Sequence, residues 1–339
     1  MTPDRFLELA AAYGRLRIAI LGDFCLDRYL EIDPSRTETS IETGRPVHNV
    51  TRVRCQPGAA GTVLNNLTAL GIGEIIPLGF RGEDAEGHEL QSALQLRAGV
   101  NLDHFLTTTE RRTFTYCKPL LMYPDRAPEE LNRLDFKNWT PTPKPVAERI
   151  ATALATVFPT IDALIVLNQV DERNTGVITG PVLEMLGELM NNRPEIPVLG
   201  DSRTGFPRWP AMSLKMNAGE ARRLIGSTES ASSDELANWL ARQATETGRP
   251  SFITMAEDGI LSAGPDGSHQ CSPALPVRGE IDIVGAGDCV TASLSAALAA
   301  GATAPEAADI ANLAASLAIH QLGTTGTADV PAISRLLAS

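Results

Sequence analysis

Short apolar runs recur along this chain, with stretches of helical spacing between them, and that rhythm restricts the fold more than any other feature. The runs are RIAILGDF (17–24), EIIPLGF (74–80), DALIVLNQ (162–169), IPVLGDS (196–202), MSLKMN (212–217) and SFITM (251–255). They read as buried strands. Helical spacing covers 60–70, 84–97, 144–157, 177–190, 218–225, 233–246, 288–300 and 304–321. Strands alternating with helices predict an α/β fold, a doubly wound and mostly parallel sheet covered on both faces. Ligands of such sheets bind at the C-terminal ends of the strands, where helix N-termini converge.

Two segments break the rhythm. Residues 28–55 and 111–123 alternate and carry β-branched residues without a helical period, which predicts a small β lid added to the body. The Pro-rich WTPTPKP (139–145) is too short to divide the chain, so residues 1–339 are expected to form one domain.

The balance of charges narrows the partners. A formal charge of -12, with no Lys/Arg run, disfavours nucleic acid. Five dispersed cysteines without a C-x-x-C pair read as reduced, buried thiols and not as a disulfide framework or a zinc site. The opening MTPDRFLELAAAYGRLR contains acids and reads as an amphipathic helix, not as a leader. No apolar run approaches the roughly 20 residues that span a bilayer. The expected setting is cytoplasmic, without a membrane partner.

DIVGAGDCV (282–290) is the segment richest in chemistry. Gly285 and Gly287 let a ligand approach the main chain closely. A helix starting near 286–288 would turn free N–H groups and its positive end toward that ligand, with the Asp288 carboxylate alongside. The same spacing also suits a glycine turn whose Asp caps a helix, and local spacing alone favours the cap. Asn217 can likewise be an Asx cap, and Glu220 an exposed acid of the first helical turn.

The wider pattern reverses that weighting. GDFCLDRYL near the start, QPGAAGTVLNNLTALG (56–71), NAGE (217–220), DIVGAGD (282–288) and IHQLGT (319–324) occur in one order over nearly the whole chain. Together they resemble the PfkB family of carbohydrate kinases, with its ribokinase-like fold. GDFCLDRY, LNRLDFKN (131–138) and QLGTTGT (321–327) are similar to its heptose-phosphate kinase branch. That branch often carries a fused nucleotidyltransferase, for which a chain ending at 339 is expected to leave no room. The resemblance implies an ATP-dependent enzyme that uses Mg²⁺ and phosphorylates a hydroxyl of a sugar or sugar phosphate.

The resemblance also assigns roles. Asp288 matches the catalytic base, and Gly285, Ala286 and Gly287 match the anion hole. Asn217 and Glu220 match the N-x-x-E motif that organises Mg²⁺ and the nucleotide phosphates. Asp27 corresponds to the carboxylate that binds sugar hydroxyls, with Asp23 a weaker candidate. Gly58 opens the substrate-side glycine pair, and Thr62 stands where the family has Asn. Thr254 and Gly259 fall in the nucleotide element, and Asn312 lies on the helix that lines the adenine pocket. A monovalent cation such as K⁺ near the 282–284 backbone, and a homodimer through the lid strands, are further implications.

Departures from the family pattern collect on the acceptor side. Ala59 and Ala256 replace glycines, Ile283 replaces a threonine, and NQVDERNTG (168–176) stands where Asp-Tyr-x-Lys-Gly is expected, leaving Arg173 as the only cation there. A phosphorylated acceptor would need local positive charge. Arg52, Arg54, Arg111, Arg112 and Lys118 could clamp a phosphate, or could simply decorate strand edges. The rival to an enzyme is a nucleotide- or sugar-binding regulatory protein on the same fold. A nicotinamide dehydrogenase is disfavoured because LGDFCLD lacks G-x-G-x-x-G after the first strand.

Overall fold

In the computed structural model, residues 1–226 and 231–338 are described. An eight-stranded sheet forms the centre. Its order is His269–Ser272, Ile260–Ala263, Ser251–Thr254, Ser213–Asn217, Val198–Ser202, Ala163–Asn168, Arg17–Gly22 and Glu74–Leu78. The pairings from Ser251–Thr254 to Glu74–Leu78 are all parallel, and those at the other edge are antiparallel.

Alternation within the strands sends successive side chains to opposite helical layers. Ile18 and Ile20 pack under a layer that includes the helices Ala60–Leu70, Ala286–Ala299 and Ala304–Ile319. Ala19 and Leu21 pack under the helices Lys144–Val157, Gly180–Asn192 and Ser233–Thr247. The central strands are thereby buried on both faces, which is why their runs lack a polar alternation.

The structure corrects the sequence reading in three places. The first run, read as one strand over 17–24, divides at Asp23: Arg17–Gly22 stays in the sheet and Phe24–Ile32 departs into the lid. The lid is larger than 28–55 and 111–123, because Phe24–Ile32 pairs with both Val50–Ala59 and Phe114–Leu121, and Leu134–Phe136 adds to the latter. The edge strands Ile260–Ala263 and His269–Ser272 and the helix Val330–Leu337 were not anticipated. ILSA and HQCS offer too few β-branched residues to signal strands. Among the described residues no helix is long and apolar enough to cross a membrane. Cys25, Cys117 and Cys289 are buried free thiols as expected, but Cys271 is exposed.

Candidate active site

The helix Ala286–Ala299 begins at a turn that Gly285 makes possible, with φ 84° in the left-handed region. Just before it, Asp282 Oδ1 accepts from the Val284 N–H at 3.0 Å, and the Ala286 N–H donates to Ile283 O at 3.1 Å. No side chain caps this helix. The N–H groups of Gly287 and Asp288 therefore reach no protein acceptor among the described residues, and the helix presents them with its positive end. Asp288 sits inside the first turn and is not its cap. A β-carbon at 285 would come 3.1 Å from Thr325 Cβ and 3.4 Å from Thr62 Cγ2, so both threonines wall the turn.

Asp288 is half-buried. Burial pushes its carboxyl up to about 7; Lys215 pulls it down, Asp201 pushes it up, Arg203 pulls down and Asp27 pushes up. Of these neighbours, Lys215, Asp201 and Arg203 were not anticipated from the sequence. Lys215 Nζ donates to Asp201 Oδ2 at 2.7 Å inside the sheet. Thr291 Oγ1, one turn along the helix from Asp288, lies 3.0 Å from the same oxygen. A lysine inside an otherwise apolar strand run, two residues before Asn217, was the available signal.

At the end of the strand Ser213–Asn217, Asn217 and Glu220 form a capping box. The Glu220 N–H donates to Asn217 Oδ1 at 2.9 Å, and the Asn217 N–H donates to Glu220 Oε2 at 2.8 Å. Glu220 Oε1 has no hydrogen-bond partner among the described residues. No group of three or more His, Cys, Asp or Glu among the described residues could hold a metal on protein atoms alone. One free carboxylate oxygen beside an amide suits Mg²⁺, which keeps most of its shell as water and phosphate oxygen.

Two of the remaining nucleotide-side candidates, Asn312 and Gly259, meet at the loop after His269–Ser272. Asn312 Nδ2 donates to Ser272 O at 2.7 Å, so this asparagine is buried and pins the loop instead of being solvated. A β-carbon at Gly259, whose φ is 95°, would strike the main chain of residues 272–274. Thr254 ends the neighbouring parallel strand, its Oγ1 3.5 Å from Met216 O. Ala256 adopts φ 49° in the glycine position of this element.

On the acceptor side, Asp27 is 6% exposed and pairs with Lys118 Nζ at 3.1 Å across the lid strands. Lys118 also lies 3.4 Å from the Tyr29 hydroxyl, which accepts from Gln56 Nε2 at 3.1 Å. Glycine at 58 admits the Asp27 carboxylate, since a β-carbon there would sit 2.7 Å from Oδ2. Ala59 follows with φ 52° and ψ −117°, a backbone that side chains rarely adopt. Asp23 differs from Asp27 in kind: its Oδ2 accepts from the Gln169 N–H at 2.8 Å and its Oδ1 from the Val177 N–H at 2.7 Å. It holds the 168–177 loop to the sheet, and both its oxygens serve that purpose.

The lid cations do not gather into a free clamp. Arg54 and Arg52 both face Glu31, at 2.6 Å and 3.8 Å. Arg111 donates to Thr140 O at 2.7 Å, and Arg112 lies 5.1 Å from the centre of the Phe136 ring. Arg173 reaches Thr204 O at 3.3 Å.

Comparison with known proteins bears on the family and the fold. The sequence pattern of the "pfkB family carbohydrate kinase" matches residues 210–331. The "Bifunctional protein HldE" of Rhodospirillum rubrum is 31% identical over 98% of this chain and 64% of its own length. The chain thus spans less than two thirds of that relative. Among solved structures, Arabidopsis thaliana ribokinase with ribose and ATP is similar at a TM-score of 0.66 and 18% identity, over 96% of this chain and 99% of that one. Escherichia coli phosphofructokinase-2, solved with fructose-6-phosphate and with potassium, gives 0.67 and 16%, over 95% of this chain and 98% of that one.

Proposed function

We propose that this chain, whose residues 210–331 match the pattern of the pfkB family carbohydrate kinases, transfers the γ-phosphoryl group of ATP to a hydroxyl of a sugar phosphate, heptose phosphates being the favoured class. One observation carries the reading: the unpaired amides of Gly287 and Asp288 and the half-buried Asp288 carboxylate occupy a single turn. The preference for heptose phosphates rests on GDFCLDRY, LNRLDFKN and QLGTTGT, and on the likeness to the HldE protein.

In this reading the acceptor hydroxyl binds between Asp27 and Asp288. Its oxygen attacks the γ-phosphorus, the bond to the bridging oxygen of ADP breaks, and Asp288 takes the hydroxyl proton. The amides of Gly287 and Asp288 face the charge that spreads over the phosphoryl oxygens of a loose transition state. Asn217 and Glu220 would hold Mg²⁺ through its waters, and the ion would supply charge neutralisation on the nucleotide phosphates. Gly259 and Asn312 would shape the base pocket through the 272–274 loop, with Thr254 at the end of the adjoining strand.

Two finer points belong to the same proposal. Carbonyls of the 282–284 turn offer a place for K⁺, the ion in one of the phosphofructokinase-2 structures. The edge strand Val50–Ala59, with Val50 and Val53 exposed, offers a second copy of the chain a surface for a homodimer. The setting we assign is cytoplasmic, where free thiols persist.

ADP release measured over a panel of sugars, sugar phosphates and heptose phosphates, with and without KCl, tests the reading. Turnover fastest on a phosphorylated sugar supports it. Tight binding without turnover for every member would favour a regulatory binding protein instead.

A further inference from the structure

Three residues that no motif explains meet beneath the phosphate turn. Lys215 is 6% exposed, and its ammonium donates to Asp201 Oδ2 at 2.7 Å. Thr291 Oγ1 lies 3.0 Å from that oxygen and 3.0 Å from Gly287 O, so its hydroxyl connects Asp201 with the first turn of the helix that bears Asp288. A β-carbon at 287 would come 3.3 Å from Lys215 Nζ, which puts the ammonium directly under the main chain of the cradle.

An ammonium has three donors. Asp201 takes one, and among the described residues no protein group takes the other two. Asp288 and Glu220 both lie within electrostatic reach of Lys215. A buried cation with two unspent donors, below amides that also lack acceptors, matches an anion seated on the turn.

We propose that Asp201 is a positioning residue for phosphoryl transfer: it grips Lys215 and, through Thr291, the Asp288 helix, and so aims the ammonium at the terminal phosphoryl group of the nucleotide. The inference rests on the kinase reading given above. As the acceptor oxygen bonds to phosphorus and ADP departs with the bridging oxygen, Asp288 receives the proton. Lys215 stays charged throughout and exchanges no proton; its contribution is fixed positive charge where the oxygens become more negative.

The test compares binding of Mg²⁺-AMP-PNP and Mg²⁺-ADP by calorimetry, together with Tm, in the full chain and in K215M, D201N, T291V and the double variant D201N/K215M. In K215M, AMP-PNP affinity is expected to fall about tenfold to a hundredfold and ADP affinity by no more than about twofold, because only the former has a γ-phosphate for the ammonium to meet. D201N is expected to show the same discrimination with a lower Tm, since it leaves a buried charge unpaired. T291V keeps the ion pair and should lose AMP-PNP affinity by about threefold with Tm near wild type. The double variant should regain Tm without regaining AMP-PNP affinity.

A double variant that recovers both would reduce the trio to a folding element and overturn the proposal, as would equal weakening of AMP-PNP and ADP. If D201N fails to fold, the double variant and T291V decide the matter. Failure of the wild type to bind either nucleotide would instead remove the kinase reading itself.

Discussion

At the donor end of the cleft the main chain is left open, with the Gly287 and Asp288 amides free and Lys215 holding two donors in reserve. At the acceptor end the charges close on one another: Asp27 on Lys118, Glu31 on Arg54, Arg111 on Thr140. The donor end is built from strand and helix termini of the rigid sheet, whose unpaired polar groups suit any phosphate chain. The acceptor end is built from cross-strand side-chain pairs, which a substrate must rearrange or extend. On the proposed kinase reading, reaction type is written in backbone, and specificity in side chains that already have partners.

The largest way to break this contrast is at the base. Asp288→Asn should fold normally yet lose roughly two to four decades of kcat, read by ADP release, because a positioned general base contributes about that much. Near-wild-type turnover would leave the donor end a binding site only. The wild type should also gain kcat/KM as pH rises through about 7, where Asp288 loses its proton.

At the acceptor end, Asp27→Asn should raise the acceptor KM about tenfold to a hundredfold, the size of a lost charged hydrogen bond, while the ATP KM barely moves. Equal movement of both constants would erase the division between the two ends.

Backbone strain sharpens the contrast further. Ala59→Gly should stabilise the fold by about 1 kcal/mol in denaturant titration, because φ 52° with ψ −117° costs alanine more than the added chain freedom costs glycine. A loss of stability would show that the alanine is well accommodated there.

A smaller effect concerns pH and stability. Burial raises the Asp288 carboxyl from its ordinary 3.8 to about 7, so the native state holds a proton that the unfolded chain releases. Stability from this group is present below about 4 and is lost as pH climbs through about 7. Asp288→Asn should accordingly melt above wild type at pH ~8, with the gap narrowing toward pH ~4, by calorimetry.

The helices 60–70, 144–157 and 218–225 were legible to the residue, because their apolar spacing fills one face and glycine or proline marks an end. The lid was only half legible: its strands are separated by the exposed 33–49 stretch, and alternation alone cannot say where pairing begins. The Gly-Ala-Gly-Asp turn stood out because glycine's backbone freedom is visible in the letters. Lys215 did not, since its meaning depends on Asp201, fourteen positions earlier, and on Thr291, far later in the chain. The hydrogen bond of Asn312 was hidden for the same reason, its partner being a carbonyl 40 residues away.

The junction at Asp23 has a mechanical consequence. Its carboxylate takes two loop amides, its N–H donates to Leu167 O at 3.2 Å, and its carbonyl accepts from the Ala60 N–H at 3.1 Å. Sheet, loop and helix are thus bolted together where the chain first leaves the body for the lid. At this crossing, any swing of the lid must be taken up beyond residue 23, by bending the long strand Phe24–Ile32 as a leaf spring clamped at its root. The order that clamp requires is established when the protein folds, so closing over a substrate need not create it again.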